Sequence, residues 1–401
     1  MTAMRIGKAL TLAVAAAAWV VCAWLLTRTS VPALDLGGVD QHRFFSEHAL
    51  ERGRDYSRGT QAIWLASTVA TIATLAVLAR VLPRSVRGMG LGRIGSAVIV
   101  AMVLLVTLWF VLLPFGLASL WWQHHWGLGP FDVLAWLDGQ WATLGAEAVS
   151  VLASIVLVVG LAGRFRRWWL IAGPVIVGIA TLFAFTSGFL AGAVSHQLRD
   201  RSLAADARRL ERIEGVQGTP LGVQDVSSWT DQANAYSTGF GASAQVVLWD
   251  TLLDGRFTRG EERIVIAHEL GHVRSRHILK AIGWSALIVL PTLWLLALVM
   301  RRRGGVGRPE NVPLAVLVLT VLSLLTAPVQ NAVSRRYEAE ADWRALAATK
   351  DPRSATRLFR SFQQTSLEEP SPPLWDYLWL ETHPTLMQRI AMAEAWREAK
   401  R

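Results

Sequence analysis

Six long uncharged stretches limit the folds open to this 401-residue chain more than any other feature of its sequence. They are residues 9–26, 60–79, 94–122, 168–195, 281–300 and 311–333. A helix needs about 20 consecutive apolar residues to cross the hydrocarbon core of a bilayer. A seventh stretch, 141–163, contains a single carboxylate, Glu147, near its start. The pattern therefore predicts about seven transmembrane helices.

The composition agrees with a chain that lies largely in lipid. Hydrophobic residues make up 52% of the chain and charged residues only 17%. Many of the 19 tryptophans lie near the ends of the predicted spans, where an amphipathic ring suits the headgroup region. The first span resembles a signal peptide, but no convincing cleavage site follows it, so we predict a retained anchor. The single cysteine, Cys22, excludes disulfides within the chain and cysteine metal sites.

The net charge of +10 raises the question of nucleic-acid binding. The basic residues concentrate in the short loops between the predicted spans, as at Arg164, Arg166 and Arg167. This distribution is typical of membrane topology. We therefore expect the lipid bilayer, and no nucleic acid, as a partner.

Seven spans divide the chain into four segments. Residues 1–195 hold five predicted spans, 196–280 form a polar insert, 281–333 hold two more spans, and 334–401 form a polar tail. Because two spans separate the insert from the tail, both segments lie on the same side of the membrane and can assemble into one domain. Within the insert, 202–214 reads as an amphipathic helix and 244–249 as a buried strand.

The insert carries an HExxH motif at residues 268–272. Thr258 and Glu261 predict a capping box, and a helix that begins there places His268 and His272 on one face, where both can bind one metal ion. A hydrolytic zinc site uses three protein ligands and leaves one position for water. Glu269 can accept a proton from that water. The motif therefore predicts one Zn²⁺ per chain, with Glu269 as the general base.

The third ligand is predicted just after the last span. Glu338 and Asp342 lie one helical turn apart, so the first can bind the metal while the second accepts the free N–H of a ligating imidazole. The alternative is a solvated helix surface on which the neighbouring charges pair with one another. The HExxH motif favours the ligand.

Other polar residues are predicted to lie outside the site. His277 stands five residues beyond His272 and points off the metal face of a continuous helix. His124 and His125 lie in an interfacial loop, and Glu147 near a span end can be solvated.

These motifs, together with 234–239 and His383-Pro384, resemble the type I CAAX prenyl endopeptidases and their HtpX-like relatives. The resemblance implies a mainly α polytopic membrane bundle of about seven helices with a small α+β zincin-like catalytic domain. It also implies that Asn234, Ala235 and Tyr236 form an edge strand that pairs with an extended substrate.

The resemblance further implies that His383 and Arg389 hold the substrate or polarise its carbonyl oxygen. The alternatives are that His383 caps a helix and that Arg389 forms a surface ion pair.

The predicted activity is zinc-dependent endopeptidase cleavage of peptides or membrane-associated proteins. Prenylated and membrane-embedded substrates both remain open. The alternatives are a signal transducer similar to the penicillin-sensing antirepressor proteases, whose sensor domain the short tail lacks, and a non-catalytic scaffold, which the complete ligand set disfavours.

The predicted location is the cell membrane. The arginine-rich loops place the catalytic domain outside the cytoplasm by the positive-inside rule, whereas the family resemblance favours a cytoplasmic site. We expect the cytoplasmic side.

Overall fold

A computed structural model describes residues 2–32, 36, 38–86 and 90–398. Residues 399–401 of the predicted tail lie outside this range. The amino-terminal part consists of five long helices: α1 (Thr2–Leu26), α2 (Glu47–Val86), α3 (Gly92–His125), α4 (Val133–Arg164) and α5 (Trp169–Val194).

The polar insert contains a small sheet and two helices. In chain order these are β1 (His196–Gln197), α6 (Arg201–Glu214), β2 (Leu221–Gln224), β3 (Ala235–Thr238), β4 (Gln245–Trp249) and α7 (Arg259–Arg274). The strand order is β1-β2-β4-β3, with β4 parallel to β2 and antiparallel to β3. Val246, Val247 and Leu248 of β4 are fully buried, as their unbroken apolar run predicts.

Two long helices follow, α8 (His277–Met300) and α9 (Val312–Thr349). The chain then ends in α10 (Pro352–Ser366), α11 (Leu374–Trp379) and α12 (Leu386–Glu398). Helix α9 continues without a break from its apolar half, past residue 333, into the polar tail. The last predicted span and the predicted third ligand therefore belong to one helix.

Six of the described helices are long and apolar enough to cross a membrane, namely α2, α3, α4, α5, α8 and α9. Helix α1 contributes a shorter apolar stretch, Ala13–Leu26. Large apolar side chains such as Leu134, Val149 and Phe183 are exposed on these helices, as expected for surfaces that face lipid. The polytopic bundle predicted from the uncharged stretches is confirmed.

One hydrophobic core joins the two polar segments. It contains Leu248 and Ile266 from the insert together with Leu358 and Ile390 from the tail, and each is at most 2% exposed. Phe45, from the segment ahead of α2, packs in the same core. The insert and the tail therefore pack around one shared core.

Candidate metal centre

Helix α7 starts where its capping signal predicts. The backbone N–H of Thr258 donates to Glu261 Oε2 at 2.8 Å, and the Thr258 hydroxyl donates to the same oxygen at 2.6 Å. The helix then presents His268 and His272, one turn apart, on the face that meets α9. Gly271 lies against the backbone of α9 at Ala341, so a side chain there would separate the two helices.

Two imidazoles and one carboxylate converge between α7 and α9. His268 Nε2 lies 3.0 Å from His272 Nε2 and 3.2 Å from Glu338 Oε2. His272 Nε2 lies 3.4 Å from the same Glu338 oxygen. Tetrahedral ligands bound about 2.1 Å from one ion are separated by roughly 3.4 Å, so this triangle fits a divalent metal. His268, His272 and Glu338 are the only group of three such ligands found among the described residues.

Asp342 lies behind the imidazole of His268. Its Oδ1 is 2.8 Å from His268 Nδ1 and accepts from Arg389 Nη2 at 2.8 Å, and its Oδ2 accepts from Arg389 Nε at 2.8 Å. Both partners are buried. A carboxylate that accepts at Nδ1 keeps the proton on that nitrogen and leaves Nε2 free for a metal.

The site concentrates negative charge around His268. Burial by itself lowers the pKa of His268, but hydrogen bonds to Asp342 and Glu338 and their charges outweigh this effect and raise the pKa to about 10. Without a metal, the imidazole would hold a proton on the nitrogen that faces Glu338. The same carboxylates that favour this proton also favour a bound cation.

Glu269 lines a small cavity beside the imidazole of His268. The cavity has a volume of about 90 Å³, and its wall includes His268, Asn234 and Ala235. Glu269 is buried, and its carboxylate has no hydrogen-bond partner among the described residues. The group is therefore available to a water molecule or substrate in the cavity.

Strand β3 forms the outer edge of the sheet on the same side. Asn234 directly precedes it, and Ala235 and Tyr236 pair with Leu248 and Val247 of β4. No described strand pairs with the outer side of β3. The predicted edge thus exists, although the Tyr236 hydroxyl donates to Gln224 across the sheet at 3.1 Å.

His383 reaches the site from the loop before α12. Its Nε2 lies 3.3 Å from Glu338 Oε2, and its side chain is 49% exposed. Partial loss of hydration lowers the pKa of His383, the charge of Glu338 opposes this shift, and Arg389 adds to it. Thr385, and not His383, caps α12 through its hydroxyl, which accepts from the backbone of Gln388.

Arg389 lies on the cavity wall, but its Nε and Nη2 serve Asp342. Its guanidinium also stacks on the ring of Phe359, 4.3 Å from the centroid. It is a buried residue of the metal-site surroundings and not a surface ion-pair partner. Direct contact of Arg389 with substrate stays a prediction.

Sequence reasoning missed two residues beside the candidate metal ligands, His277 and Glu340. His277 Nδ1 lies 2.9 Å from His272 Nδ1, and His277 Nε2 lies 3.0 Å from Glu340 Oε2. The expectation that His277 points away assumed an unbroken helix, whereas α7 ends at Arg274 and Arg276 adopts a left-handed φ of 55°. This break turns His277 back toward the site.

Fold and site together define a multi-pass membrane protein with a cluster of two histidines and one carboxylate that could hold a metal ion, at one end of its helices. Comparison with protein families narrows this class, because residues 197–397 match the model described as Peptidase family M48. The chain belongs to peptidase family M48.

Relatives of this chain include both branches that its motifs resemble. It is 26% identical to the uncharacterized metalloprotease YhfN of Bacillus subtilis over 242 residues, 57% of each chain. It is 29% identical to a protease HtpX homolog of Kineococcus radiotolerans over 275 residues, 60% of this chain and 92% of the relative. A CAAX prenyl protease 1 homolog of Oryza sativa is 26% identical over 197 residues, 46% of each chain.

The chain spans about half the length of several of these curated relatives. The crystal structure of S. mikatae Ste24p matches with a TM-score of 0.73 at 19% sequence identity and covers 94% of this chain and 96% of that one. At this identity the match shows the fold alone. The resemblance to CAAX prenyl endopeptidases and HtpX-like proteins, and the predicted fold class, are confirmed.

Proposed function

We propose that this protein is an integral-membrane, zinc-dependent endopeptidase that hydrolyses peptide bonds of peptides or membrane-associated proteins. The observation that carries the proposal is the triangle of His268 Nε2, His272 Nε2 and Glu338 Oε2, with Glu269 in the adjoining cavity. Membership of a peptidase family supports hydrolysis of peptide bonds as the reaction.

The two imidazoles and Glu338 would hold one Zn²⁺, whose chemistry is to polarise a carbonyl and to acidify a water molecule at the site. Glu269 then accepts the proton of the attacking water and delivers it to the leaving amine. Asp342 keeps His268 in the tautomer that leaves Nε2 free. His383 is placed to donate a hydrogen bond to the negative charge that develops on the substrate oxygen.

Substrate would bind in an extended conformation along β3. An edge strand offers main-chain donors and acceptors that any extended peptide can pair with. Such pairing suits an enzyme that recognises the peptide backbone before the side chains. The hydroxyl of Thr238, at the end of β3, lies 2.8 Å from the hydroxyl of Ser187 on the apolar helix α5. This contact supports chains anchored in or lying on the membrane as the proposed substrate class. The prenylated substrates named for a relative remain one possibility within this class.

The proposal is tested with Glu269→Gln. The substitution keeps the shape of the side chain but removes its ability to accept a proton, and general-base catalysis typically contributes about 10²- to 10⁴-fold. We expect cleavage of a fluorescent peptide library by purified protein to fall by at least this factor. The zinc content, measured by emission spectroscopy, should stay unchanged.

Glu262→Gln is the matched control, since Glu262 lies on the same helix and pairs with Arg259 away from the cavity. Retained turnover by Glu269→Gln would remove Glu269 from the role of base. Peptides that accumulate on this variant in native membranes would identify the natural substrates.

A further inference from the structure

His272, the second predicted metal ligand, lies at one end of a line of polar groups joined at hydrogen-bond distance. The proposed mechanism does not use the other members of this line. His272 Nδ1 faces His277 Nδ1 at 2.9 Å, and His277 Nε2 faces Glu340 Oε2 at 3.0 Å. His277 is 4% exposed and Glu340 is 3% exposed. Buried polar groups placed in line at hydrogen-bond distance act as one unit, because leaving any of them unpaired costs free energy.

The partners of Glu340 fix the direction of each hydrogen bond along this line of polar groups. Glu340 Oε1 accepts from the backbone and hydroxyl of Ser30 at 2.8 and 2.7 Å. Its Oε2 accepts from Lys280 Nζ at 3.1 Å, so the carboxylate is held as an acceptor. His277 must then donate to it through Nε2, and a neutral imidazole that donates through one nitrogen accepts through the other.

The hydrogen-bond direction at His277 also determines which nitrogen of His272 carries the proton. Since His277 Nδ1 is an acceptor, the facing His272 Nδ1 must carry the proton. The lone pair of His272 is therefore on Nε2, the atom that points at His268 and Glu338. Asp342 imposes the same tautomer on His268 by direct contact.

We call the hydrogen-bonded line of His272, His277 and Glu340 the relay. We propose that His277 is a positioning residue for metal binding, which fixes the tautomer and ring orientation of His272, and that Glu340 anchors the other end of the relay. This inference rests on the proposed function, because it takes His272 as a metal ligand. In metal sites generally, partners of this kind change metal affinity by about 10- to 100-fold when they are removed.

Contacts with α1 hold the relay in place. Ser30 lies just beyond the end of α1, and the carbonyl of Leu26 accepts from the hydroxyl of Tyr337 at 2.9 Å. The Tyr337 ring stacks on His277 with centroids 4.8 Å apart. The ring of His277 is thus fixed by stacking on one side and by hydrogen bonds at both nitrogens.

His277→Phe tests the proposal, since a phenyl ring keeps the stack on Tyr337 but removes both nitrogens. His277→Gln is the rescue variant, because its amide oxygen can accept from His272 and its amide nitrogen can donate to Glu340. We would measure Zn²⁺ affinity by chelator competition and record the visible absorption of the Co²⁺-substituted protein, both without substrate. We expect Zn²⁺ affinity to fall about 10- to 100-fold in His277→Phe, the Co²⁺ spectrum to change, and both to be largely restored in His277→Gln.

Leu296→Ala is the control for general loss of packing. Leu296 is buried in α8 within a hydrophobic core that contains no residue of the relay. We expect a lower thermal midpoint with parental Zn²⁺ affinity. If His277→Phe does not fold, His277→Leu is measured in the same way with the same expectation.

Parental affinity and an unchanged Co²⁺ spectrum in folded His277→Phe or His277→Leu would overturn the relay, and so would equal losses in His277→Phe and His277→Gln. Glu338→Ala separates this failure from failure of the proposed function. If Glu338→Ala loses the metal while His277→Phe binds it with parental affinity, the site stands and the relay fails. If Glu338→Ala also keeps the metal, the proposed site itself fails, and the relay with it.

Discussion

Buried carboxylates near the metal centre differ in the charges that face them. Asp342 is paired with both Arg389 and His268. Glu368, in the loop after α10, is half-buried and has no ion pair among the described residues. Burial raises the pKa of Glu368 to about 7, Arg389 partly opposes this shift, and Asp342 adds to it.

A carboxyl group with a raised pKa stabilises the folded state at low pH and loses that contribution as pH rises. For Glu368 the contribution is complete below the ordinary glutamate pKa and is lost as pH passes about 7. Glu368→Gln, which cannot ionise, should therefore be more stable than the parent at pH 8, by on the order of 1–3 kcal/mol. The difference should shrink toward pH 4.5. Thermal unfolding in detergent across this range measures the effect.

The control for this series is Glu51→Gln, since Glu51 is exposed on α2. Its difference from the parent should not change with pH in this way. An equal or smaller stability of Glu368→Gln at pH 8 would contradict the assigned direction.

For individual residues, the sequence predicts which side chains are neighbours when they lie at regular intervals within one helix. The four-residue intervals His268 to His272 and Glu338 to Asp342 each lie within one helix, so the rule of shared helix faces gives the correct neighbours. His277 could not be placed by that rule because a left-handed residue, Arg276, intervenes. The pairing of Arg389 with Asp342 depends on how α12 docks, which no local pattern states.

Among the elements, strand β3 has the clearest functional consequence. Trp249 N–H donates to the carbonyl of Asn234 at 3.0 Å, so Asn234 faces β4. Residues of an antiparallel strand alternate between facing their partner and facing away. The main-chain groups of Ala235 and Ser237 therefore face the free edge. The N–H of Ala235 donates to Asn234 Oδ1 at 2.8 Å, so the N–H of Ser237 is the donor that a substrate would pair with.

Ser237→Pro removes one outward N–H and leaves the hydrogen bonds to β4 intact, because proline is tolerated on the open side of an edge strand. We expect kcat/KM for peptides to fall at least several-fold, with KM raised, and little change in thermal stability. Peptide cleavage and thermal unfolding check the two halves of this prediction.

Two variants bracket the result. Ser237→Ala keeps the N–H and should cleave like the parent, while Tyr236→Pro removes a donor that faces β4 and should destabilise the fold. Parental kinetics in a folded Ser237→Pro protein would exclude pairing of substrate at this position.

Element boundaries follow from the sequence where local chemistry is strong. The capping residues of α7, the amphipathic face of α6 and the apolar run of β4 each predict their element. Strand β2 carries no such pattern, because its burial comes from parallel pairing with β4, a contact between distant parts of the chain. The continuity of α9 was also not predicted, since the change from apolar to polar residues at 333 reflects a change of solvent and not of backbone.

The whole molecule has two ends of very different charge. The end away from the metal centre gathers the short loops, where Arg93 lies against Gly163 and Gly307 lies against Ala162. The described arginines at this end are Arg80, Arg84, Arg93, Arg164, Arg166, Arg167, Arg301, Arg302, Arg303 and Arg308. The positive-inside rule would place this end in the cytoplasm, opposite to the side that the family resemblance implies for it.

Orientation is measurable in intact cells with single cysteines in a Cys22→Ser background. Asp254 is exposed in the polar insert, and Arg302 is exposed at the arginine-rich end. With the metal centre in the cytoplasm, a membrane-impermeant maleimide should label Arg302→Cys and spare Asp254→Cys. The same reagent should label both after the cells are lysed. The reverse pattern in intact cells would show that the charge rule governs this chain.

Helix α9 joins the candidate metal centre to the bundle of apolar helices in one continuous element. At about 1.5 Å per residue, its 38 residues form a single rod, anchored in the bilayer at one end and carrying Glu338 beyond it. A fragment that begins after the apolar half would lack the turns that precede Glu338. Pro328 lies between the two halves, so a change in the packing of the apolar half would reach Glu338 as a bend or a rotation of one continuous helix.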